Sequence, residues 1–317
     1  MRMDLRQMRH FVAVAEELHF SRAARRLNMA QPPLSQSIKR LEEELGVRLL
    51  DRSRRGVWMT PAGAVFLAEA QRTLMQANLA KAVTQRAANT ESAKLNISFI
   101  GAALYQVLPK LLHEYRAKHP QTGLRLFELP SPEQVKGLLD GRFDVAFVAP
   151  TPDLPDVGDK FVVERSDLIA AVPSTSPLAG RTSLHLAEMS DEPMLMAAMS
   201  ESPARISAQE AAFRSVGYVP QVVQEATQAN TRLSLVSAGF GSTLVPAAAA
   251  STGRRGVAFI PVVDMPPSVR FEIALAWQPQ HASPAVRAFV ALCKAYVDAH
   301  PELTQIKLEI AEAHFRP

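Results

Sequence analysis

The stretch FSRAARRLNMAQPPLSQSIKRLEEELGVRLLDRSRRG, residues 20–56, constrains the fold more than any other part of this 317-residue chain. It holds two helical patterns, each too short to be stable alone, joined by Asn28–Met29–Ala30–Gln31, which has room only for a tight helix–helix turn. Just before it, Leu5, Met8, Val12 and Ala15 recur at intervals of 3 and 4 with Phe11 beside them, which predicts a first amphipathic helix. Phe20–Ser21 supplies an apolar residue followed by a good N-cap, and Ala23, Ala24 and Leu27 supply a short packed face. Ala24 is small where a second helix must cross closely. Pro32 or Pro33 suits a first-turn position, where a missing N–H costs little. Leu34, Ile38, Leu41 and Leu45 then give a buried stripe, and Gly46 is placed to end the helix.

That stripe leaves Gln31, Pro32, Ser35, Gln36 and Lys39 on or near the outward N-terminal side. Gln can bridge an adenine edge, Ser can meet a base or a phosphate, and a prolyl ring can pack on a thymine methyl. A short helix presenting its N-terminal end fits the major groove, with helix-terminal N–H groups available to phosphate. After Gly46, VRLLDRSRRGVWM reads as two short strands around a turn at Ser53–Gly56. Arg52, Arg54 and Arg55 crowd that wing, where phosphates or the minor groove are natural partners. The expectation is a winged helix-turn-helix for duplex DNA. RNA is the less natural partner, because no aromatic stacking platform accompanies the basic residues.

Charge agrees with that placement. Residues 1–60 hold 12 Lys/Arg against 7 Asp/Glu, whereas residues 61–317 hold 23 against 24. A basic head on a nearly neutral body suggests one polyanion-facing module. Cys293 is the single cysteine, which excludes an intrachain disulfide and argues against a cysteine-based metal cluster. The amino-terminal region is charged and amphipathic and holds no long apolar run, so neither a signal peptide nor a membrane span is expected. A cytoplasmic, nucleoid-associated location follows as the expectation, with no membrane partner and no cofactor or metal.

Thr60–Pro61 pairs an N-cap with a proline suited to the first helical position. No proline follows before Asn89, and Leu67, Ala70, Leu74 and Ala77 step by 3, 4 and 3. Such a helix needs a partner for its Ala/Leu seam. A second copy is the economical one, and packing along its own domain is the other.

From Leu95 the pattern changes to short apolar strands alternating with helices. Strands are expected at Leu95–Ile100, Leu124–Leu129, Asp144–Val148, Ile169–Val172, Met194–Ala197, Val219–Gln224, Thr243–Pro246 and Phe271–Trp277. The rhythm implies parallel sheets in two similar α/β units, a bilobed body with ligand beyond the strand ends. The candidate positions there are Ala102 and Ala103, which leave space beside a helix start, and Ser131, an N-cap, a ligand contact or both. Arg205 could pair bidentately with a carboxylate or be a solvated surface charge, and Pro203 more naturally shapes the turn before it. The Gly239–Phe240–Gly241 turn reads as structural.

The residues 3–60, with QPPLSQSIKRLEEELGVRLLDRSRRGVWMT at their core, closely resemble the DNA-binding domain of LysR-type transcriptional regulators. The resemblance extends more loosely over residues 94–300, including FDVAF at 143–147 and LVSAGFGSTLVP at 235–246. The head is most similar to regulators of aromatic-compound catabolism that answer to muconate or related carboxylates. The resemblance implies an α/β protein with a winged helix-turn-helix at 1–60 and a linker and dimerisation helix at 61–90. The rest would be a periplasmic-binding-protein-like effector domain, with subdomain I at 91–168 and 269–300 and subdomain II at 169–268. Residues 301–317 extend beyond the usual end, and a short terminal helix is expected there.

By matching position, the resemblance places Gln31, Pro32, Ser35 and Gln36 at the DNA interface and Arg55 in the wing. Ala102, Ser131 and Arg205 would line the effector cleft. Muconate-type regulators carry serine at the position of Ala102 and phenylalanine at that of Arg205, and several relatives carry arginine at that of Gln36. Assembly as a homotetramer, activation of a neighbouring promoter, with RNA polymerase as a conceivable partner, and a small, anionic effector are further implications. Two other functions are weighed against this one. An enzyme finds no support: HEYRAKH at 113–119 spaces its histidines by six, breaking the one-turn zinc pattern. There is no G-x-S-x-G or Walker A motif either. A small-molecule solute-binding protein without a regulatory role would suit the body but not the basic head.

Overall fold

The computed structural model describes residues 3–53, 56–88, 94–198 and 203–308. The chain divides after Ala88 into two compact units. The first contains α1 (Leu5–Glu17), α2 (Phe20–Arg26), α3 (Gln31–Leu45), β1 (Leu50–Ser53), β2 (Gly56–Met59) and α4 (Pro61–Ala88). A reciprocal cap starts α1: Gln7 N–H donates to Asp4 Oδ1 at 2.8 Å and Asp4 N–H to Gln7 Oε1 at 2.9 Å. The buried face of α1 is Met8, Phe11, Ala13, Val14 and Ala15, while Leu5 is 39% exposed. The apolar face therefore starts a turn later than the sequence spacing suggests.

The cap of α2 is His19 and not Ser21. Its Nδ1 accepts from the Ser21 N–H at 3.2 Å. Asn28 turns the chain at φ 52°, a left-handed conformation that asparagine tolerates, and α3 ends at Gly46 with φ 69°. Ala23, Ala24, Leu34, Ile38 and Leu41 join Phe11 and Val14 in one core. β1 and β2 form an antiparallel hairpin, with Leu50 opposite Met59 and Ser53 opposite Gly56. Arg54 and Arg55, expected at its tip, lie outside the described residues.

The second unit runs β3 (Lys94–Phe99), α5 (Val107–Lys118), β4 (Gly123–Glu128), α6 (Ser131–Leu139), β5 (Val145–Val148), β6 (Asp159–Ser166) and β7 (Leu168–Pro173). It continues with β8 (Met194–Met196), α7 (Pro203–Ser215), β9 (Val222–Glu225), α8 (Ala229–Ser237), β10 (Thr243–Pro246), β11 (Val257–Pro261), β12 (Phe271–Trp277) and α9 (Pro284–Ala299). One lobe is a five-stranded sheet, β4-β3-β5-β12-β6, whose β3 pairs parallel with β4 and β5 and whose β12 returns antiparallel. The other lobe is not the parallel repeat that the sequence rhythm suggests. There β7 pairs antiparallel with both β10 and β11, while β8 and β9 pair parallel as a separate two-stranded sheet. The strands β6 and β11 were not anticipated.

The central strand β7 is buried on both faces. Leu168, Ala170 and Val172 enter the larger core, which also holds Phe147, Phe289 and Tyr115, and Ile169 and Ala171 enter a second core with Leu233, Val236 and Val245. The crossover from β6 to β7 is strapped by the carboxy-terminal segment. A short 3-10 helix over Pro301–Thr304 buries Leu303, and residues 309–317, the rest of the segment where a terminal helix is expected, lie outside the described residues. Ile306 N–H then donates to Arg165 O at 3.0 Å, and Ile306 O accepts from Asp167 N–H at 2.9 Å. The Ile306 side chain packs against both cores.

Glu164 in β6 is only 1% exposed, and its carboxylate meets no side-chain hydrogen-bond donor among the described residues. Burial pushes its pKa up from the ordinary 4.5 to about 7, against weaker opposing pulls from the Val107 backbone N–H and Lys110. The folded chain thus holds a proton that the unfolded chain has already lost. The contribution to stability is present below pH 4.5 and declines as pH rises to about 7. Thermal unfolding of wild type and Glu164→Gln across this range should show the variant losing less stability, with its largest relative gain above pH 7.

Candidate nucleic-acid interface and effector cleft

Ala30 precedes α3 in extended conformation and gives no side-chain cap, so the outward N-terminal end is formed by Gln31 and Pro32 themselves. Gln31, Pro32, Gln36 and Lys39 are exposed and Ser35 is half-buried, while Leu34, Ile38 and Leu41 on the other face are fully buried. One helix therefore uses one face for adhesion to the head and the other for solvent. Behind it, His10 Nδ1 and Ser37 Oγ lie 2.8 Å apart and tie α1 to α3. Burial, then the nearby Arg6 charge, lower the His10 pKa, which favours the neutral ring. Lys39 reaches Glu43 at 3.6 Å, a solvated pair of little energetic weight.

Arg52 differs from the expectation of a wing cation facing outward. Its guanidinium folds back over the Phe20 ring at 4.7 Å, donates to Ser35 Oγ at 3.3 Å and reaches Glu42 at 3.3 Å. Glu42 is a structural residue missed in the sequence. Its Oε1 accepts from the N–H groups of Leu49 at 2.9 Å and Leu50 at 3.0 Å, which fixes the chain leaving α3 as it enters the wing. The repeated glutamates of LEEELG were a weak signal, since sequence spacing alone does not show which one turns inward.

Thr60 caps α4 as expected, accepting from Gly63 N–H at 2.9 Å. Part of the predicted seam is spent within the head. Ala70 is fully buried, Leu67 packs on the head core beside Phe66, and Phe66 meets Phe11 edge-on at 5.1 Å. Leu74 and Ala77 remain partly exposed.

In the second unit, a 3-10 turn over Gly101–Leu104 follows β3. Ala102 borders a narrow cleft together with Arg205, Gln209, Gln228 and Arg232, and Leu244 and Phe271 are among its apolar walls. The other three expected positions fall elsewhere. Ala103 is fully buried, and its N–H donates to Ile100 O at 2.9 Å. Ser131 Oγ accepts from Ala149 N–H at 3.0 Å, so this buried hydroxyl holds the start of α6 to the end of β5. Pro203 is the exposed first residue of α7. Arg205 is half-buried, its guanidinium 5.4 Å from the centre of the Phe271 ring.

Arg232 was missed by the sequence reading because its place on α8 resembles that of any helix-surface charge. It is 8% exposed and donates to Ala226 O at 2.8 Å. Tyr105 Oη donates to Asn230 Oδ1 at 3.0 Å, and burial pushes its pKa to about 12, so the phenol stays a neutral donor at physiological pH. The cleft has a volume of about 30 Å³, room for a water or two. Among the described residues no group of acidic, histidine or cysteine side chains could hold a metal, and no helix is long and apolar enough to cross a membrane.

Two family profiles match the chain: a bacterial regulatory helix-turn-helix protein of the lysR family over residues 5–64, and a LysR substrate binding domain over residues 88–298. The transcriptional regulator AlsR of Bacillus subtilis is 36% identical over 288 residues, covering 91% of this chain and 94% of its own. Among solved structures, full-length CbnR complexed with its target DNA aligns with a TM-score of 0.54 at 29% identity, covering 92% of this chain and 99% of its own. The effector-binding domain of BenM with its effector benzoate aligns with a TM-score of 0.56 at 25% identity, covering 66% and 94% respectively.

Glu42 accepts two backbone donors and an arginine, so replacing it with alanine orphans partly buried N–H groups. The loss expected is about 1–3 kcal/mol of head stability. Hydrogen exchange at the Leu49 and Leu50 amides should accelerate in Glu42→Ala, and unchanged protection would show that Glu42 does not hold the wing.

Proposed function

The chain belongs to the LysR family of DNA-binding transcriptional regulators that carry an effector-binding domain, and we propose that it activates an adjacent catabolic operon in response to a small carboxylate or aromatic acid. It is a regulator and not an enzyme. In this reading residues 1–60 engage the operator and 61–90 pair the heads. The effector lies between subdomain I, 91–168 with 269–300, and subdomain II, 169–268.

The observation that carries the DNA assignment is the two-faced α3, with Leu34, Ile38 and Leu41 inward and Gln31, Pro32 and Gln36 exposed. Gln36 and Gln31 are suited to base edges, and Ser35 to a base or phosphate. Lys39, with Arg54 and Arg55, supplies phosphate contacts, while Arg52 braces the wing through Glu42 and Ser35. Arg205 and Arg232 support an anionic effector because two guanidiniums border one cleft. A ring-sized acid needs the lobes to part, so its binding would shift a population between two lobe arrangements. A solute-binding protein without regulatory role leaves the family's DNA-binding head without a use.

Self-association rests on separate observations. Leu74 and Ala77 are partly exposed on α4, and the second unit presents Leu126 and Phe127 on β4 and Val219, Val222 and Val223 at β9. Apolar edges of this kind favour burial by a second copy. The assembly proposed is a homotetramer.

Gln36→Ala should change preference at particular operator bases, at a cost of about 1–3 kcal/mol for a lost bidentate contact. Lys39→Ala should weaken binding to all sequences alike and reduce the salt dependence. Footprinting and salt-titrated binding on the promoter beside the gene measure both effects. Retention of full specific binding by a chain lacking residues 1–60 would overturn the assignment. Leu74→Glu should lower the oligomeric state in sedimentation and weaken binding to a two-half-site operator, and an unchanged sedimentation profile would remove this helix from the interface.

A further inference from the structure

Among the described residues Glu164 is the only acid whose two side-chain oxygens are both buried and without a hydrogen-bond partner. A β-bulge puts it there. In the β6–β12 ladder Glu164 stands opposite Ile273 and Val162 opposite Ala274, so Val163 between them has no partner. The extra residue breaks the in–out alternation of the strand, and Val163 and Glu164 are both turned inward, at 0% and 1% exposed.

The carboxyl lies beside the start of α5. The backbone N–H of Val107, the first residue of that helix, and the ammonium of Lys110 favour its charged form, and burial outweighs them. Gln106, just before the helix, gives no side-chain cap. Other charges on the elements around β6 are engaged elsewhere. Arg165 holds Glu272 of β12, Arg270 holds Asp167, and Glu114 of α5 pairs with Lys118. Lys294 of α9 lies over the Phe161 and Trp277 rings, and Glu302 acts on Tyr296.

The segment over this carboxyl also touches the other lobe. Residues 101–106 lead from β3 into α5, and Gly101 and Ala102 border the narrow cleft. Tyr105 Oη donates to Asn230 Oδ1 at 3.0 Å, and Tyr105 O accepts from Ser251 Oγ at 3.2 Å. Two residues beyond Glu164, Ser166 Oγ accepts from the Ala248 N–H at 3.2 Å. Asn230 lies on α8 of the second lobe, and Ala248 and Ser251 lie on the short 3-10 helix after β10. Glu164 thus stands between two of the ties that join the lobes.

We propose that Glu164 is a proton-operated latch on the joint between the lobes. As a neutral acid it stays dry beside α5, and segment 101–107 keeps its bonds to Asn230 and Ser251. When the proton passes to solvent, a carboxylate without a partner is too costly to keep dry. The start of α5 then lifts from β6, water enters, and the bonds of Tyr105 to the other lobe are lost. Rising pH therefore loosens the frame of the narrow cleft, and falling pH secures it. Only the description of that cleft as an effector site rests on the proposed function.

Hydrogen exchange on the full chain, run below and above pH 7 and corrected for the chemical exchange rate, tests the latch. Amides from Ala102 to Leu111 should lose protection in the wild type as pH rises through about 7, while those of β7 keep theirs. Glu164→Gln cannot ionise and should show no such step. Lys110→Met removes the cation that favours the carboxylate, so its step should move to higher pH. Lys110 is exposed, so this variant decides the matter even where Glu164→Gln does not fold. The proposal fails if the wild type shows no step, if Glu164→Gln shows the same step, or if the step of Lys110→Met stays in place. No effector enters the experiment, so failure of the latch leaves the regulator reading standing. Absence of specific operator binding by the wild type would strike that reading and not the latch.

Discussion

The backbone of Asp167 is the joint on which the two-lobed unit depends. Its N–H donates to Ile306 O at 2.9 Å, its C=O accepts from Ala247 N–H at 2.8 Å, and its carboxylate accepts from Arg270 at 2.9 Å. Strand β6 of one lobe, the end of β10 in the other, the carboxy-terminal segment and the approach to β12 thus meet at one residue. A crossover between lobes has left one sheet and not yet joined the next, so its polar backbone groups need partners from elsewhere. Here the last part of the described chain supplies one of them, and Ile306 seals the crossover by packing against both cores. The narrow cleft has the neighbours of this joint, Leu168 and Pro246, among its walls.

The head solves a smaller problem by a related device. Three helices and a two-stranded wing give a core too small to set the wing's direction by apolar packing alone. Glu42 accepts two successive backbone N–H groups at the entrance to the wing and then receives Arg52 from the wing itself. A partly buried carboxylate with two amides and a guanidinium is well compensated, so the charge orients the wing without a large desolvation penalty. The same device holds Arg52 back against Glu42, Ser35 and Phe20, with its side chain still 37% exposed.

How much of this was legible in the sequence follows from whether each signal is local. The buried stripe of α3, its glycine stop and the Thr60–Pro61 start of α4 depend on residues within one or two turns, and all three hold. The cap of α2 failed on a local ambiguity, because His19 offers a ring nitrogen two residues before Ser21 could offer its hydroxyl. The second lobe failed for a different reason. Alternating strands and helices suggest parallel pairing, but β7 takes antiparallel partners from β10 and β11, more than 70 residues away in sequence. Strand β6 carries Asp, Lys, Glu and Arg, and nothing local shows that Glu164 is the one turned inward. Arg232 and Ser131 teach the same point from both directions. A charge that reads as surface is buried at the cleft, and a hydroxyl that reads as a ligand contact is already engaged by the Ala149 amide.

Arg205 borders the narrow cleft with its guanidinium 5.4 Å from the centre of the Phe271 ring, a cation–π contact between α7 and β12. An acid in this cleft must part the lobes, since about 30 Å³ cannot hold an aromatic ring. The work of parting falls on the crossover at Asp167, whose bonds to Ile306 and Ala247 must bend or be kept. A ligand that binds both lobe arrangements equally would move nothing, however tight its grip. Response to an effector therefore depends on the difference between what it gains with the lobes apart and what it gains with them together.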